Sequence, residues 1–268
     1  MALSASYQGK WVLITGASMG IGEVFARKFA RQKANLILTA RSIDRLQALS
    51  DVLSRSENIE TSVISCDLAA PSGPSELCAE IKKRGIQVFG LVNNAGCGGG
   101  GLFAKAPLER YLHMIDLNVR ALVELTHRLI GEMIERKEGF VINVSSTASY
   151  QPIPYSSIYA ATKAFVTSFT EALWLETRNT GVRVLNLCPG LTKTNFGLNA
   201  GLKDFHSDPL ADDAQDVVDA ALGGLRKNKP TVISGLKNKI LAKIERLLPH
   251  RAVLEASLIF QDLRGRSR

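Results

Sequence analysis

The sequence predicts an α/β fold with one doubly wound parallel sheet, helices on both of its faces and a helical C-terminal extension. Three observations lead to this prediction. Short β-branched runs alternate with longer helical patterns, several of these runs are apolar at nearly every position, and a glycine-rich turn follows the first run. Strands covered on both faces have this continuous apolar character. Repeated βα units form a parallel sheet through right-handed crossovers.

Seven strands are predicted in chain order, at 11–15, 35–40, 61–65, 88–93, 140–146, 182–187 and 231–234. Six helical stretches accompany them, at 20–33, 42–56, 74–85, 108–137, 156–180 and 212–228. No internal repeat or low-complexity linker divides the chain. We therefore expect one main domain at 1–235, followed by a basic amphipathic helical extension at 236–268.

Composition excludes several classes of protein. A chain of 268 residues with 46% hydrophobic residues can build a substantial core, so intrinsic disorder is excluded. The cysteines and histidines show no metal-ligand spacing, and the cysteines no disulfide framework. The N-terminus lacks a signal-peptide pattern. We therefore expect a cytoplasmic protein without a metal.

The positive charge is concentrated at one end of the chain. The formal net charge is +8, and residues 236–268 contain eight Lys and Arg against three Asp and Glu. The preceding residues are nearly balanced, which argues against a nucleic-acid-binding core.

The turn after the first strand reads TGASMGIG, with glycines at Gly16, Gly20 and Gly22 and with Ser18 and Ile21 between them. Such a strand-to-helix turn lets the backbone approach a pyrophosphate and directs a helix N-terminus at its charge. The context of a first βα unit therefore predicts a Rossmann-type dinucleotide-binding domain at 1–235.

The end of the second strand indicates which dinucleotide binds. An acidic residue there usually holds the 2′-hydroxyl of NAD, whereas arginine suits the 2′-phosphate of NADP. Here Ala40 and Arg41 end the strand and no acid is present. Ser18 and Ser42 can add hydroxyl groups. The sequence favours NADP over NAD, and the alternative is a solvated Arg41 that merely starts the next helix.

The stretch SSIYAATKAF places Tyr159 and Lys163 four residues apart in a predicted helix, on one face. Alone, this spacing does not separate a proton-transfer pair from two amphipathic side chains on a helix surface.

Seven motifs in order resemble those of the short-chain dehydrogenase/reductase family. They are TGASMGIG (15–22), CDL with Asp67, NNAG (93–96), DLNV with Asn118, VSS (144–146), YAATK (159–163) and CPG followed by Thr194. Together they span residues 11 to 195. The order of the motifs makes the resemblance specific, although each motif is weak by itself.

The resemblance implies a role for each matching residue. Tyr159 would be the acid/base, Lys163 its activator and a ligand of the nicotinamide ribose, and Ser146 the residue that orients the substrate, in preference to Ser145. Asn118 would hold a water molecule at a local helix distortion. The remaining cofactor contacts would be Asp67 to the adenine, Asn94 on the adenosine side, and the turn from Pro189 to Thr194 to the carboxamide.

Elementary electrostatics allows Lys163 to activate Tyr159 if their site is partly desolvated. Lowering the pKa of a tyrosine by about three units takes roughly 4 kcal/mol of preferential stabilisation of the phenolate. A cation about 4 Å away supplies about 4 kcal/mol only at an effective dielectric near 20. We therefore expect a partly desolvated cleft, in which Lys163 lowers the pKa of Tyr159.

These observations predict an NADP(H)-dependent oxidoreductase that interconverts a carbonyl and an alcohol. Mixed apolar residues at 149–157 and in a lid at 191–209 favour a fairly hydrophobic substrate. The alternatives are a non-catalytic NADP-binding redox sensor and a peripheral membrane reductase acting on lipid. We also expect a homo-oligomer, either a dimer or a tetramer.

The extension departs from many members of that family. Six apolar residues of 236–248 fall on one stripe, largely apart from the lysines, and Pro249 ends the pattern. Packing of this helix onto the body or onto a second subunit is the favoured interpretation. The alternative is a basic amphipathic helix that lies on an anionic membrane.

Overall fold

A computed structural model describes residues 7–201, 205–206 and 208–263. Its seven strands form one parallel sheet in the order β3-β2-β1-β4-β5-β6-β7. The strands are β1 Trp11–Thr15, β2 Asn35–Ala40, β3 Thr61–Ser65, β4 Val88–Asn93, β5 Gly139–Val144, β6 Val182–Cys188 and β7 Thr231–Ile233. The predicted doubly wound sheet is therefore confirmed, with strand ends within two residues of the predicted ones.

The helices are α1 Gly20–Arg31, α2 Ile43–Glu57, α3 Gly73–Lys83, α4 Leu108–Ile115, α5 Ala121–Glu135, α6 Ser157–Thr177, α7 Phe196–Asn199, α8 Ala214–Arg226, α9 Leu236–Leu247 and α10 His250–Leu263. Buried residues of α1, α2 and α8 share one apolar core with the sheet, and those of α3 and α5 share a second. The strands are thus covered on both faces, which is why they are apolar at nearly every position.

The predicted helix at 108–137 is interrupted. A π-helical segment, Asp116–Arg120, lies between α4 and α5. Such segments are rare and occur often at functional sites. The local distortion expected around Asn118 is therefore present.

The extension forms two helices, α9 and α10, which are separated at Leu248 and Pro249. Residues 264–268 of the predicted extension, and residues 202–204 and 207 of the predicted lid, lie outside the described residues. Helix α9 contacts the body through Asn238 and Ala242, whereas the apolar residues of its stripe are exposed among the described residues, and packing onto a second subunit stays a prediction. No described helix is both long and apolar enough to cross a bilayer.

Candidate active site

The turn between β1 and α1 has the backbone conformation that its glycines predict. Gly16 and Gly20 have φ angles of +63° and +60°, in the left-handed region that favours glycine. A side chain at Gly22 would collide with the carbonyl oxygen of Gly16. Met19, which precedes α1, provides no side-chain cap. The first amides of α1 are therefore left for an anion.

Asn94 braces this turn from the end of β4. Its Nδ2 donates hydrogen bonds to the carbonyl oxygens of Thr15 (2.9 Å) and Gly16 (3.2 Å). Asn94 Nδ2 thus connects the loop after β4 to the glycine turn after β1. Ser18 and Ile21 are half-buried in the same turn, and Ile21 packs against the core below it.

Arg41 and Asp67 follow the neighbouring strands β2 and β3, and both are exposed. The Arg41 carbonyl accepts a hydrogen bond from Ser65 Oγ (3.2 Å), and Asp67 Oδ1 accepts one from the Ala69 amide (3.0 Å). The local backbone is fixed while the Arg41 side chain is exposed to solvent, beside the glycine turn of the adjacent strand β1.

Lys163 lies buried on α6. Its Nζ donates a hydrogen bond to the Val144 carbonyl (2.9 Å) and is 5.9 Å from the centre of the Tyr159 ring. Burial lowers the pKa of Lys163 to about 8, because a charged amine loses its hydration there. The predicted pairing of the two side chains on one helix face is therefore present.

Tyr159 differs from the expectation in its acidity. Burial raises the pKa of the phenol to about 12, while a hydrogen bond with the Ser146 side chain acts in the opposite direction. The expectation that Lys163 lowers this pKa is wrong for the protein alone. Lys163 directs its ammonium at the Val144 carbonyl, and desolvation of the phenolate outweighs the stabilising hydrogen bond.

The adjacent residues Ser145 and Ser146 make different contacts. Ser146 follows β5, accepts a hydrogen bond from the Ala148 amide (3.1 Å) and faces Tyr159. Ser145 is buried, donates to the Lys163 carbonyl (2.8 Å) and bonds Thr167 (2.8 Å). The geometry thus agrees with the choice of Ser146 as the residue at the reacting centre, and Ser145 anchors α6.

Asn118 lies in the π-helical segment and is fully buried. Its Oδ1 accepts from the Cys97 amide (2.9 Å), and its Nδ2 donates to the Cys97 carbonyl (2.9 Å) and to Thr162 Oγ1 (3.1 Å). Both amide hydrogens are used, so only Oδ1 has capacity left for the predicted water molecule. Asn118 and Lys163 meet at Gly96, where a Cβ would lie 3.1 Å from Oδ1 and 3.5 Å from Nζ.

The predicted turn from Pro189 to Thr194 follows β6 and closes the other side of the cleft. The Pro189 carbonyl accepts a hydrogen bond from the Thr147 amide (2.9 Å). Thr194 is buried opposite the glycine turn, where a Cβ on Gly20 would lie 3.1 Å from Thr194 Cγ2. The structure therefore brings all the predicted site residues to one edge of the sheet, where its parallel strands end.

A family model described as short chain dehydrogenase matches residues 10–203. The chain belongs to this family. Sulfoacetaldehyde reductase 2 of Chromohalobacter salexigens is 37% identical over 195 residues, which cover 70% of this chain and 74% of the relative. The predicted short-chain dehydrogenase/reductase enzyme is thereby confirmed at the level of the family.

Solved structures of such dehydrogenases share the fold over nearly the whole chain. A short-chain dehydrogenase from Sphingobium yanoikuyae in complex with NADPH has a TM-score of 0.81 and 31% identity, covering 92% of this chain and 95% of its own. The bulky-bulky ketone specific alcohol dehydrogenase from Comamonas testosteroni has a TM-score of 0.76 and 27% identity, covering 97% and 95%. The likeness thus includes most of the helical extension.

Sequence reasoning missed Phe196 of this dehydrogenase. The centre of the Phe196 ring lies 5.8 Å from the centre of the Tyr159 ring. The Phe196 ring also packs against Gly98, where a Cβ would lie 3.0 Å from Phe196 Cζ. A cavity of about 10 Å³, enough for about one water molecule, is lined by Tyr159, Gly99 and Tyr155 among others. Phe196 therefore covers one side of the Tyr159 phenol. Phe196 lies within the predicted lid at 191–209, which was the available signal, but its contact with Tyr159 depends on the fold and was not predicted.

Cys97 was also not predicted to belong to the site. Its backbone holds Asn118, and burial raises the pKa of its thiol, which lies within electrostatic reach of Lys163. Its position directly after NNAG was the available signal. A larger depression, of about 590 Å³, lies elsewhere along β3 and is lined by none of the predicted site residues.

Proposed function

We propose that the protein is an NADP(H)-dependent oxidoreductase that reduces a ketone or aldehyde to an alcohol, with Tyr159 as the proton donor. One observation carries this proposal. The Tyr159 phenol faces the Ser146 side chain, and its ring centre lies 5.9 Å from Nζ of the buried Lys163, at the same sheet edge as the glycine turn. A phenol carries at neutral pH the proton that carbonyl reduction requires, and burial raises the pKa of Tyr159 further.

The residues around the cleft fit the dinucleotide. The glycine turn packs tightly at Gly22 against the Gly16 carbonyl, the first amides of α1 have no side-chain cap, and Arg41 offers an exposed guanidinium. The NADPH complex of the Sphingobium relative supports the same cofactor. The residues that would hold NADP are Gly16, Ser18, Gly20, Ile21, Gly22, Arg41, Asp67, Asn94, Tyr159, Lys163, Pro189 and Thr194.

Side chains of the protein then orient the carbonyl and donate the proton. NADPH, when bound, would supply the hydride for the carbonyl carbon. Ser146 hydrogen-bonds the carbonyl oxygen and stabilises the negative charge that develops on it. Tyr159 donates its proton to that oxygen, because an alkoxide is a much stronger base than a phenolate. Lys163 stabilises the resulting phenolate, and Asn118 holds the backbone at Cys97 beside it.

The test is consumption of NADPH, followed by the absorbance of the reduced nicotinamide, across a panel of ketones and aldehydes. Tyr159→Phe should lower turnover by about a thousandfold, within the range for general acid catalysis, while NADPH still binds. Unchanged turnover would rule out the acid role of Tyr159. Tight NADPH binding with no turnover on any carbonyl would favour the redox-sensor alternative instead.

Arg41→Asp tests the choice of cofactor. Hydrogen bonds to charged groups contribute about 1.5–3 kcal/mol, so NADPH affinity should fall about tenfold or more while NADH affinity changes little. Titration of both cofactors against both proteins measures this difference. Equal losses for the two cofactors would show that Arg41 does not bind the 2′-phosphate.

The surroundings of Tyr159 support a fairly hydrophobic carbonyl substrate. Phe196, Tyr155, Ile158 and Met114 lie around the phenol or its cavity. The Comamonas neighbour is an alcohol dehydrogenase specific for bulky-bulky ketones, which agrees with this class.

Arg110 favours a second class, carbonyl compounds with an anionic group. Its exposed guanidinium lies against Gly99 and bonds the Ala200 carbonyl (3.2 Å) at the end of α7. Among the described residues it forms no ion pair, and the Chromohalobacter relative is a reductase of sulfoacetaldehyde. Arg110→Gln should lower kcat/KM for anionic aldehydes but not for neutral ketones. Equal effects on both would exclude this role.

We also propose a homo-oligomer located in the cytoplasm. Leu108, Leu112 and Ile115 of α4 are exposed at a spacing that places them on one helix face. Light scattering in solution measures the number of subunits, and a monomer at every concentration would contradict this proposal.

A further inference from the structure

Helix α9 exposes its apolar residues. Leu236, Ile240, Ile244 and Leu247 recur at intervals of four, four and three residues, which places them on one face. Leu236 is 72% exposed and Leu247 is 85% exposed. With two exposed neighbours they form the α9 stripe, which consists of Leu236, Ile240, Leu241, Ile244, Leu247 and Leu248.

Contacts on the opposite face fix this orientation. Asn238 Nδ2 donates to Asp212 Oδ2 (3.1 Å) and to the Ser234 carbonyl (2.9 Å), and Ala242 is buried. The Asn238 amide also lies directly against Gly190, where no Cβ fits. Rotation of the stripe toward the body would break these contacts, so the stripe needs a partner outside the described chain.

The charges beside the stripe indicate the chemistry of that partner. Lys239 and Lys243 lie four residues apart along one border, and Lys237 shares the face of Leu241 and Ile244. All three lysines are at least partly exposed, and none forms an ion pair among the described residues. The surface is therefore apolar and positively charged at the same time.

We propose that the α9 stripe docks on an anionic lipid surface. Helices that lie in a membrane interface combine an apolar face with flanking lysines, and the lysines attract the headgroups of anionic lipids. A second copy of this chain fits less well. A two-fold interface places identical patches together, so the lysines of one copy would face those of the other.

The next helix, α10, also exposes apolar residues and contacts the loops beside the active site. Leu258 and Ile259 are exposed on α10. From the same helix, Ser257 Oγ donates to the Pro152 carbonyl (3.0 Å), and Asp262 Oδ1 accepts from the Tyr155 hydroxyl (3.3 Å). A docked protein would thus hold its substrate loops close to the lipid.

The test is sedimentation of the full-length protein with vesicles of phosphatidylcholine, with and without phosphatidylglycerol. We expect binding only to the anionic vesicles, and loss of that binding in high salt. Lys239→Glu with Lys243→Glu should weaken binding by at least about tenfold, since each basic residue near the surface adds appreciably to affinity. Lys227→Glu with Lys229→Glu changes two exposed lysines and the same net charge elsewhere, and should leave binding unchanged.

Leu236→Gln with Leu247→Gln should also weaken vesicle binding by about tenfold or more, because both side chains enter the interface. Leu175→Gln with Leu210→Gln is the matched control on other exposed leucines. Retained NADPH binding shows that each variant is folded. Failure of the intact protein to sediment, equal losses in the controls, or conversion of an oligomer to a monomer by the stripe variants would each overturn the proposal.

Discussion

Helices α6 and α9 both depart from the usual pattern of a surface helix, in which apolar side chains face the core and polar ones face water. Helix α6 buries Lys163 and several threonines while it exposes Phe165 and Leu175. Helix α9 exposes its apolar stripe and places Asn238 against the body. The same departure has different causes in the two helices.

In α6 the buried polar groups have partners within the protein. Lys163 donates to the Val144 carbonyl, Thr167 bonds Ser145, and Thr170 accepts from Asn143 Nδ2 (3.0 Å). These bonds offset the desolvation of each group. In α9 the exposed leucines have no such compensation among the described residues. The buried polar groups of α6 therefore have partners inside the protein, whereas the apolar residues of the α9 stripe are exposed.

The largest expected effect is the difference in kcat between two single variants that replace a lysine by methionine, one in α6 and one in α9. Lys163→Met removes the cation beneath Tyr159 and should lower kcat by about a thousandfold, as expected for a part of the acid/base system. Lys243→Met removes an exposed charge from α9 and should leave kcat with a water-soluble carbonyl unchanged. Steady-state kinetics of both variants measures the contrast. A similar kcat for the two variants would remove the distinction between the helices.

The pH dependence of kcat/KM tests the role of Lys163 in α6. Burial lowers the pKa of Lys163 to about 8, so its positive charge is present below pH 8 and is lost as the pH rises. The kcat/KM for carbonyl reduction should be level below pH 8 and should fall by about tenfold per unit above it. Lys163→Arg keeps its charge and should lose this decline. A profile that is level to pH 10 would contradict the assignment to Lys163.

The smallest expected effect is on the free energy of unfolding, for a substitution in the α9 stripe. Leu247→Gln changes an exposed side chain and should alter the free energy of unfolding by less than about 0.5 kcal/mol. Asn238→Ala removes two hydrogen bonds on the inner face of α9 and should cost about 1–2 kcal/mol. Urea denaturation of the protein without lipid compares the two variants. A larger loss for Leu247→Gln would mean that the stripe stabilises the folded chain.

Much of the fold and of the site could be predicted because both depend on local patterns. The seven apolar strands and the glycines at Gly16, Gly20 and Gly22 follow from period, composition and turn chemistry. Tyr159 and Lys163 share a helix face because of their spacing alone. The choice of Ser146 over Ser145 agrees with the structure, since the two side chains point to different neighbours.

The tertiary structure decided what depends on contacts between distant segments. The acidity of Tyr159 is set by burial, which no sequence spacing reports, and so its pKa is raised where it was expected to be lowered. Phe196 reaches the phenol only because the loop after β6 folds back over the site. Periodicity identified an apolar stripe on α9 but not its direction. That direction is set by the bonds of half-buried Asn238 to Asp212 and Ser234, because another orientation of the helix would leave this polar side chain without them.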